Sequence, residues 1–533
     1  MSSTIQLLVL LLAVVAAVAV IAARLRLPDP ILLVLTGVGL ALVPGLPPVV
    51  LAPELVLLMV LPPVIYMSAV TMSWREVQLN LGPISLLAVG CVLFTTVVIA
   101  GAAHWLLGLP WPVGFVLGAI VSPPDTMAPS SIARRMGIPR RILVILEGEG
   151  LANDATALIL YRFAVAAVSI GVFSFGHAIG MFVIIVAGEI LWGMGLGWVM
   201  MRLRRWIADP RIELTLSVLT PFLAFWPPEH LGGSGVLATV TTGLYSGWIA
   251  PQLMGAATRL QGLLFWDFLI YVIEGLVFLI TGLQARTLMD RIGGYRLSEL
   301  IFSALIVSTV VILARFVWTY PAAYLLTRLG SRTRHAAPVP PWQWVFAVSF
   351  TGVRGIVSLA AALGLPLAVA GGGPFPHRDL ILLLTFTVIL VTLVGQGLLL
   401  PWVMRALGVI ETGRHEQDTA RAEECHARQR AIEAALERLD RLSREGRFAA
   451  EALEGIRAQY QDRLRVIRHG SDADTRQREF SEVHDEIELV LIGTERNEID
   501  QLFRKGSLNG EARRHIERDF DLREAQLLNE RRI

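Results

Sequence analysis

The stretch Leu146-Glu147-Gly148-Glu149-Gly150-Leu151-Ala152-Asn153-Asp154-Ala155-Thr156-Ala157 places three carboxylates and an amide at the head of a long apolar run. Glu147 and Asp154 are seven residues apart, close to two helical turns, so on a helix they share a face. Asn153 lies beside Asp154, about 100° round the helix, where its amide can donate to a neighbouring group. Whether such a run is ordinary or costly depends on the solvent around it, and the rest of the chain answers that. Of 533 residues, 54% are apolar and only 17% charged, with a mean hydropathy of +0.60. Soluble domains average about 25% charged residues. The charges are also unevenly spread: residues 1–410 hold 39 of them, and the 123 residues that follow hold 51. The composition predicts a membrane domain over 1–410 and a charged, helical cytoplasmic domain over 411–533.

A helix needs roughly 20 mostly apolar residues to span a bilayer. Candidate spans fall at 5–22, 31–47, 52–73, 82–107, 112–132, 142–169, 178–201, 212–227, 233–250, 262–284, 299–327, 341–370 and 379–404. Pro227, Pro228 and a glycine pair interrupt the eighth and ninth. The first run lacks a basic leader and is followed by Arg24 and Arg26, so it reads as a span and not as a cleaved signal peptide. With the amino terminus outside, sixteen arginines fall in inner loops and only Arg286, Arg291, Arg296 and Arg378 in outer ones. That bias fixes the expected orientation and puts the charged tail in the cytoplasm, for a multi-pass protein of the inner (plasma) membrane.

Thirteen spans allow a six-one-six inverted repeat, in which the fifth and twelfth are counterparts. Both carry breaks: Ser122-Pro123-Pro124-Asp125 in the fifth and Thr351-Gly352-Val353-Arg354-Gly355 in the twelfth. Prolines cannot donate backbone hydrogen bonds and glycines flank Arg354, so both stretches are expected to unwind. The fold class expected is an all-α polytopic membrane protein with about thirteen helices, two of them discontinuous and crossing.

An ionisable group at membrane depth costs from ~2.5 kcal/mol to far more, so each is a functional candidate. Asp125, Glu147, Glu149, Asp154, Arg162, Glu274, Arg315 and Arg354 qualify. A carboxylate in a dehydrated cleft can hold either a proton or a metal cation. Cation and proton would then compete for one charge, which is a complete exchange mechanism. Asp154, Asp125, the Ser122 hydroxyl and carbonyls freed by the prolines supply the oxygen ligands that a hard cation wants. Ser-Pro-Pro-Asp also reads as a helix start capped by its carboxylate. Glu149 reads as one half of a buried pair with a base such as Arg315, and Arg315 and Arg354 read as salt-bridge partners. Glu147 fits a wet funnel, and Glu274 a structural or a functional role alike. Gly193-x-x-x-Gly197 permits close helix contact, and tryptophans near span ends read as interfacial anchors.

The exclusions are firm. The chain has one lysine, Lys505, and no glycine-rich phosphate loop, so direct nucleotide-driven pumping is not expected. No basic domain suggests nucleic acid, no cofactor motif occurs, and Cys91 and Cys425 form no disulfide framework. No nucleophile–base constellation suggests an enzyme. A channel or a transporter of another solute is the competing class, and would show uncoupled or proton-insensitive flux.

At these residues the chain resembles the monovalent cation/proton antiporter family, in the sodium/proton exchanger branch marked by an Asn-Asp pair. The matching pieces are Leu61-Pro62-Pro63, Ser122-Pro123-Pro124-Asp125, the run 146–157, Ser234-Gly235-Val236-Leu237-Ala238, Glu274-Gly275-Leu276-Val277-Phe278 and Gly352-Val353-Arg354-Gly355. The resemblance implies thirteen helices, a homodimer in the lipid bilayer, and elevator-like alternating access. It implies that the ion sits on Asp154 with Asp125 nearby, that Asn153 supports the site and that Glu149 pairs with Arg315. An Asn-Asp pair implies electroneutral one-for-one exchange of H⁺ for Na⁺, with Li⁺ or K⁺ as further cations. Three departures bear on selectivity: Met67 stands where many relatives are acidic, Gly150 where they have serine, and Pro124 where they often have threonine. Each removes a possible oxygen ligand, which makes K⁺ a candidate beside Na⁺.

In the tail, residues 415–468 and 475–530 space apolar residues such as Ile432, Leu436, Leu439 and Leu442 among charges, the pattern of amphipathic helices. Gly470-Ser471 and Asn509-Gly510 read as turns. Helix packing or dimer contact is the expected role, with regulation of transport a further one.

Overall fold

Long apolar runs free of turn residues leave the backbone one way to satisfy itself in lipid, which is helix. The computed structural model describes residues 2–25, 27–44, 53–170, 175–207, 209–289, 296–330, 340–369, 372–445, 448–471, 475–505 and short stretches of 512–524. Among these residues there is no strand, only one isolated bridge between Ala368 and Pro374. The Asn509-Gly510 turn and Arg26, Arg291, Arg332 and Arg334 lie outside the described residues.

The chain divides into two units, Met1–Gly413 and Arg414–Ile533. In the first, α1 (Ser2–Leu25) and α2 (Asp29–Ala41) precede α3 (Pro53–Thr71). The short α4 (Trp74–Leu79) leads to α5 (Leu81–Leu107). Next come α6 (Trp111–Val121), α7 (Met127–Met136), α8 (Arg140–Ile170), α9 (Phe175–Arg204), α10 (Pro210–His230), α11 (Val236–Leu253), α12 (Ala256–Met289) and α13 (Leu297–Gly330). They are followed by α14 (Trp342–Phe350) and α15 (Ile356–Leu363), and by α16 (Arg378–Ala406). Among the described residues, eight helices are long and apolar enough to cross a bilayer, and α2, α6 and residues 236–250 are shorter apolar helices. Large apolar side chains stand exposed along them, among them Leu191, Leu264 and Phe268. On a soluble protein such patches would drive association; here they are the surface that lipid covers.

Tight packing rests on glycine. Gly37 of α2 faces Gly282 of α12, where a Cβ on either would stand about 3 Å or less from the other backbone (Gly282 Cα at 2.9 Å from the first, Gly37 Cα at 2.8 Å from the second). Gly114 of α6 lies against the Ala100 carbonyl of α5 in the same way. The Gly193–Gly197 pair is used inside the protomer, against Ala238, Thr241 and Tyr245 of α11. Small residues let helices approach where no hydrophobic force separates them from lipid.

Proline breaks backbone pairing, and the structure supplies other donors. Pro62 cannot donate to Leu58, and the indole of Trp226 donates to that carbonyl at 3.0 Å. Next to it the helix widens into a π turn at Val56–Val60. Pro227 leaves the Leu223 carbonyl without its donor, and Trp192 Nε1 takes it at 3.3 Å. That is why α10 continues through Pro227 and Pro228 to His230 where the sequence suggests a break. Two tryptophans thus replace missing backbone donors, and one of them, Trp226, stands at a span end where it reads as an interfacial anchor.

The second unit holds most of α17 (Val409–Glu445), which contains the boundary, then α18 (Ala450–Ser471) and α19 (Thr475–Arg504). Helix α18 runs through Gly470 to its end at Ser471. Ion pairs between exposed side chains, such as Arg428 with Glu424 and Arg496 with Asp521 and Glu524, lace its surface. A small apolar cluster joins Ile492 and Phe520 with Leu489, Ile499 and Ile516.

If the indoles act as surrogate donors, Trp226→Phe should lower stability by about 1–3 kcal/mol, the cost of an orphaned polar group. Thermal unfolding in detergent reads this directly. Trp198→Phe, at an exposed indole on the same helix as Trp192, should leave the midpoint unchanged.

Candidate functional site

The two broken segments meet. Helix α6 ends at Val121 and α7 starts at Met127; α14 ends at Phe350 and α15 starts at Ile356. At the contact the Asp125 amide donates to the Val353 carbonyl at 2.7 Å. Pro123 and Pro124 leave the last carbonyls of α6 without helical donors. The Ser122 hydroxyl takes Ala119 O at 3.4 Å, and also accepts from Thr96 Oγ1 at 3.1 Å. Arg354 reaches across from the other break. Its Nε donates to Val121 O at 2.9 Å and its Nη2 to Ser122 O at 3.3 Å, while Nη1 holds Gly352 O on its own strand. The Arg354 amide donates to Thr392 Oγ1 of α16 at 2.9 Å. Among the described residues Arg354 has no carboxylate partner, so its task is to satisfy carbonyls and not to form the ion pair read from the sequence. At 1% exposure, its five donors make it suited to several acceptors at once.

Gly355 is required by the same crossing: a Cβ there would stand 2.6 Å from Asp125 Cβ and nearer still to its carboxylate. Asp125 Oδ1 accepts from the Met127 amide at 2.9 Å at the start of α7. Its Oδ2 is buried with no hydrogen-bond partner. Both readings of Asp125 therefore coexist, one oxygen near a helix start and the other unassigned.

Helix α8 passes beside this crossing. Asn153, 0% exposed, donates from Nδ2 to the Pro124 carbonyl at 2.7 Å. Its amide thus ties α8 to the unwound stretch. Glu149, also 0% exposed, meets Arg315 of α13 in a two-pronged pair at 2.5 and 2.8 Å. Arg315 donates further to Val348 O at 3.2 and 3.0 Å. Bidentate geometry with extra hydrogen bonds is what lets such a pair persist in a low-dielectric interior. Asp154, by contrast, has no hydrogen-bond or ion-pair partner among the described residues.

Asp125 and Asp154 line one cavity of about 490 Å³, together with Glu274 of α12, Thr126 just before α7, Ser130 of α7 and Met67 of α3. Ser122, Asn153, Glu149, Arg315 and Arg354 are not on its wall. Asp29, Arg134, Arg135, Glu147 and Asp267 also line the cavity. There Arg134 grips Glu147 at 2.9 and 2.7 Å, and Arg135 pairs with Asp29 at 3.2 Å. The sequence flagged Glu274 without placing it; two turns from Asp267 on one helix, it joins the aspartates on the wall. Two buried carboxylates, Glu189 and Glu213, escaped the sequence reading entirely. Glu189 of α9, 2% exposed, accepts from the amides of Ser234, Gly235 and Leu237 at 2.5, 3.1 and 3.0 Å. It caps the amino end of α11 from another helix. The adjacent Ser234-Gly235 was the only signal for it.

Removing one partner of a buried pair leaves an uncompensated charge. Arg315→Met should therefore cost about 3–5 kcal/mol of stability. The double change Glu149→Leu with Arg315→Met should recover most of it, as read by thermal unfolding. A double variant no better than the single would show that the pair is not what these helices need.

The chain matches the family model for the transmembrane sodium/hydrogen exchanger over residues 9–406. It is 35% identical over 537 residues to an uncharacterized Na⁺/H⁺ exchanger of Mycobacterium tuberculosis, covering 98% of this chain and 96% of that one. It is 33% identical over 387 residues to a sodium, potassium, lithium and rubidium/H⁺ antiporter of Bacillus pumilus, covering 70% and 57% of the two chains. In fold it is similar to the sodium proton antiporter MjNhaP1 of Methanocaldococcus jannaschii, with a TM-score of 0.61 at 20% identity over 77% of this chain and 99% of that one. Those matches and the apolar helices make the chain an integral membrane protein, and it belongs to the sodium/hydrogen exchanger family of cation/proton antiporters.

Proposed function

We propose that the chain exchanges one monovalent cation for one proton at Asp154, with Asp125 as the companion ligand. The observation that carries this reading is the contrast between carboxylates. Glu149 is neutralised by Arg315, whereas Asp154 has no partner among the described residues and lines the cavity together with Asp125, whose Oδ2 is also without a hydrogen bond there. A cation or a proton can complete that arrangement, and each excludes the other. Asn153 holds the Pro124 carbonyl and so fixes α8 against the break, while Arg354 ties the carbonyls that the prolines orphan. Ser122 bonds Ala119 O and Thr96 and lies off the cavity wall, so in this reading it closes the end of α6 and the cavity-lining aspartates carry the ion.

Exchange of one charge for one charge is electroneutral, and alternating access would carry it. Arg134 and Arg135 line the cavity, and arginine placement assigns their side of the chain to the cytoplasm. The site then opens inward, in a plasma-membrane protein built as a six-one-six inverted repeat and paired as a homodimer. Residues 411–533 would be its cytoplasmic domain. No cofactor enters the cycle; Na⁺, K⁺ or Li⁺ and H⁺ are its substrates. A K⁺-competent reading is favoured by Met67 on the cavity wall, a neutral residue that binds cations weakly. It is also favoured by the Bacillus relative, whose name covers sodium, potassium, lithium and rubidium.

Dequenching of a preset ΔpH in proteoliposomes on adding Na⁺, Li⁺ or K⁺ tests the reading. Asp154→Asn should abolish the signal for every cation, and persistent exchange in that variant would sink the site assignment. Clamping the membrane potential should leave the rate unchanged if exchange is one for one. Competition also has a sign: acidification should raise the half-maximal cation concentration, by up to about tenfold per pH unit for one proton against one cation.

A further inference from the structure

The cavity wall carries two hydroxyls, of Thr126 and Ser130, that make no hydrogen bond among the described residues. Thr126 follows Asp125 and precedes α7, the position where a threonine normally caps a helix, yet its side chain makes no capping bond. No other hydrogen bond of its hydroxyl exists among the described residues. Ser130, one turn further along α7, is 7% exposed and its Oγ has no hydrogen-bond partner. Both residues line the cavity with Asp125 and Asp154. A buried hydroxyl left unpaired costs about 1–3 kcal/mol, so Ser130 calls for a ligand that completes it, and the half-buried Thr126 stands one turn away on the same wall.

Geometry places Thr126 beside the Asp154 helix. Its side chain lies against Gly150 of α8, where an added Cβ would overlap the Thr126 hydroxyl oxygen and stand 2.9 Å from its Cβ and Cγ2. Gly150 is one helical turn before Asp154, on the same face. The threonine therefore fills the space left by the missing side chain at 150 with its hydroxyl, next in sequence to Asp125 and one helical turn from Asp154. Ser130 extends this row one turn towards Arg134 and its partner Glu147.

We propose that the Thr126 hydroxyl is a neutral oxygen ligand of the transported cation, that Ser130 supplies a second on the way to it, and that the pair sets which alkali ion the site prefers. The proposal rests on the exchange site at Asp154 argued above. Two carboxylates alone attract any cation; selection depends on how well the remaining oxygens replace its water. Small, strongly hydrated Li⁺ and Na⁺ give up more hydration energy on entering a site than K⁺ does, so the loss of one oxygen ligand costs them more. Gly150 belongs to the same device, since any side chain there would drive Thr126 aside.

The test uses full-length protein in proteoliposomes, with half-maximal concentrations of Li⁺, Na⁺ and K⁺ measured for Thr126→Val, Thr126→Ser, Ser130→Ala and the double change Thr126→Gly with Gly150→Ser. Thr126→Val keeps the shape and removes the oxygen; it should raise the Na⁺ and Li⁺ values about tenfold and the K⁺ value much less. Thr126→Ser should stay near the parent, and Ser130→Ala should shift the same ratio by a smaller factor. The double variant, which moves a hydroxyl from 126 to 150, should recover the parent's Na⁺/K⁺ ratio within about threefold. If Thr126→Val stops flux altogether, the ratio is read instead from cation-dependent thermal stabilisation of the purified protein, which needs binding and not turnover. An unchanged Na⁺/K⁺ ratio in Thr126→Val overturns the proposal. Failure of the exchange site itself would show separately, as cation-driven flux surviving Asp154→Asn.

Discussion

One hydrogen bond between two broken helices organises this molecule: the Asp125 amide on the Val353 carbonyl, at 2.7 Å. Backbone that leaves a helix inside a bilayer must find partners in the protein. Here each break is the other's partner, and Arg354 closes what remains by reaching from one break to the carbonyls of the other. Everything near the site follows from that constraint. Gly355 has no side chain because Asp125 occupies the space. Asn153 reaches the crossing through Pro124, and Thr392 of α16 takes the Arg354 amide.

The crossing also separates two kinds of buried charge. Glu149 and Arg315 neutralise one another and fix α8 to α13. Arg354 carries a positive charge with carbonyls, not carboxylates, around it. That leaves a fixed positive group behind the crossing and unpartnered carboxyl oxygens in front of it, on the cavity side. A carrier needs this asymmetry, since a site whose charges were all paired internally would gain nothing from binding an ion.

Much of this was legible in the sequence because its signals are strong ones. Pro-Pro and Gly-x-x-Gly inside apolar runs mark breaks through missing donors and missing side chains, and both breaks lie where those residues stand. Carboxylates in an apolar chain are too costly to be incidental, so Asp125 and Asp154 stood out. What was not legible is contact between distant segments. Ser122 looks like a free oxygen in the sequence, but the proline after it creates an orphaned carbonyl that its hydroxyl takes. Pro227 and Pro228 look like an end to α10, and only the indole of Trp192, 31 residues away, supplies a donor that lets the helix run on. Arg354 reads as an ion-pair partner because charge suggests charge. Glu189 sits singly among apolar neighbours, with its partners 45 or more residues later.

That last carboxylate has a consequence for how the chain is made. Helix α9 is synthesised before α11, so Glu189 enters the membrane ahead of the amides that receive it. An acidic side chain near the centre of a spanning helix disfavours insertion by about 2.5–3.5 kcal/mol. The deficit is cancelled only when the amino end of α11 arrives. Helices α9 to α11 are thus bound to assemble as one insertion unit, with their register locked by a single side chain before the ion-handling half of the protein, completed by α14 and α15, has finished leaving the ribosome.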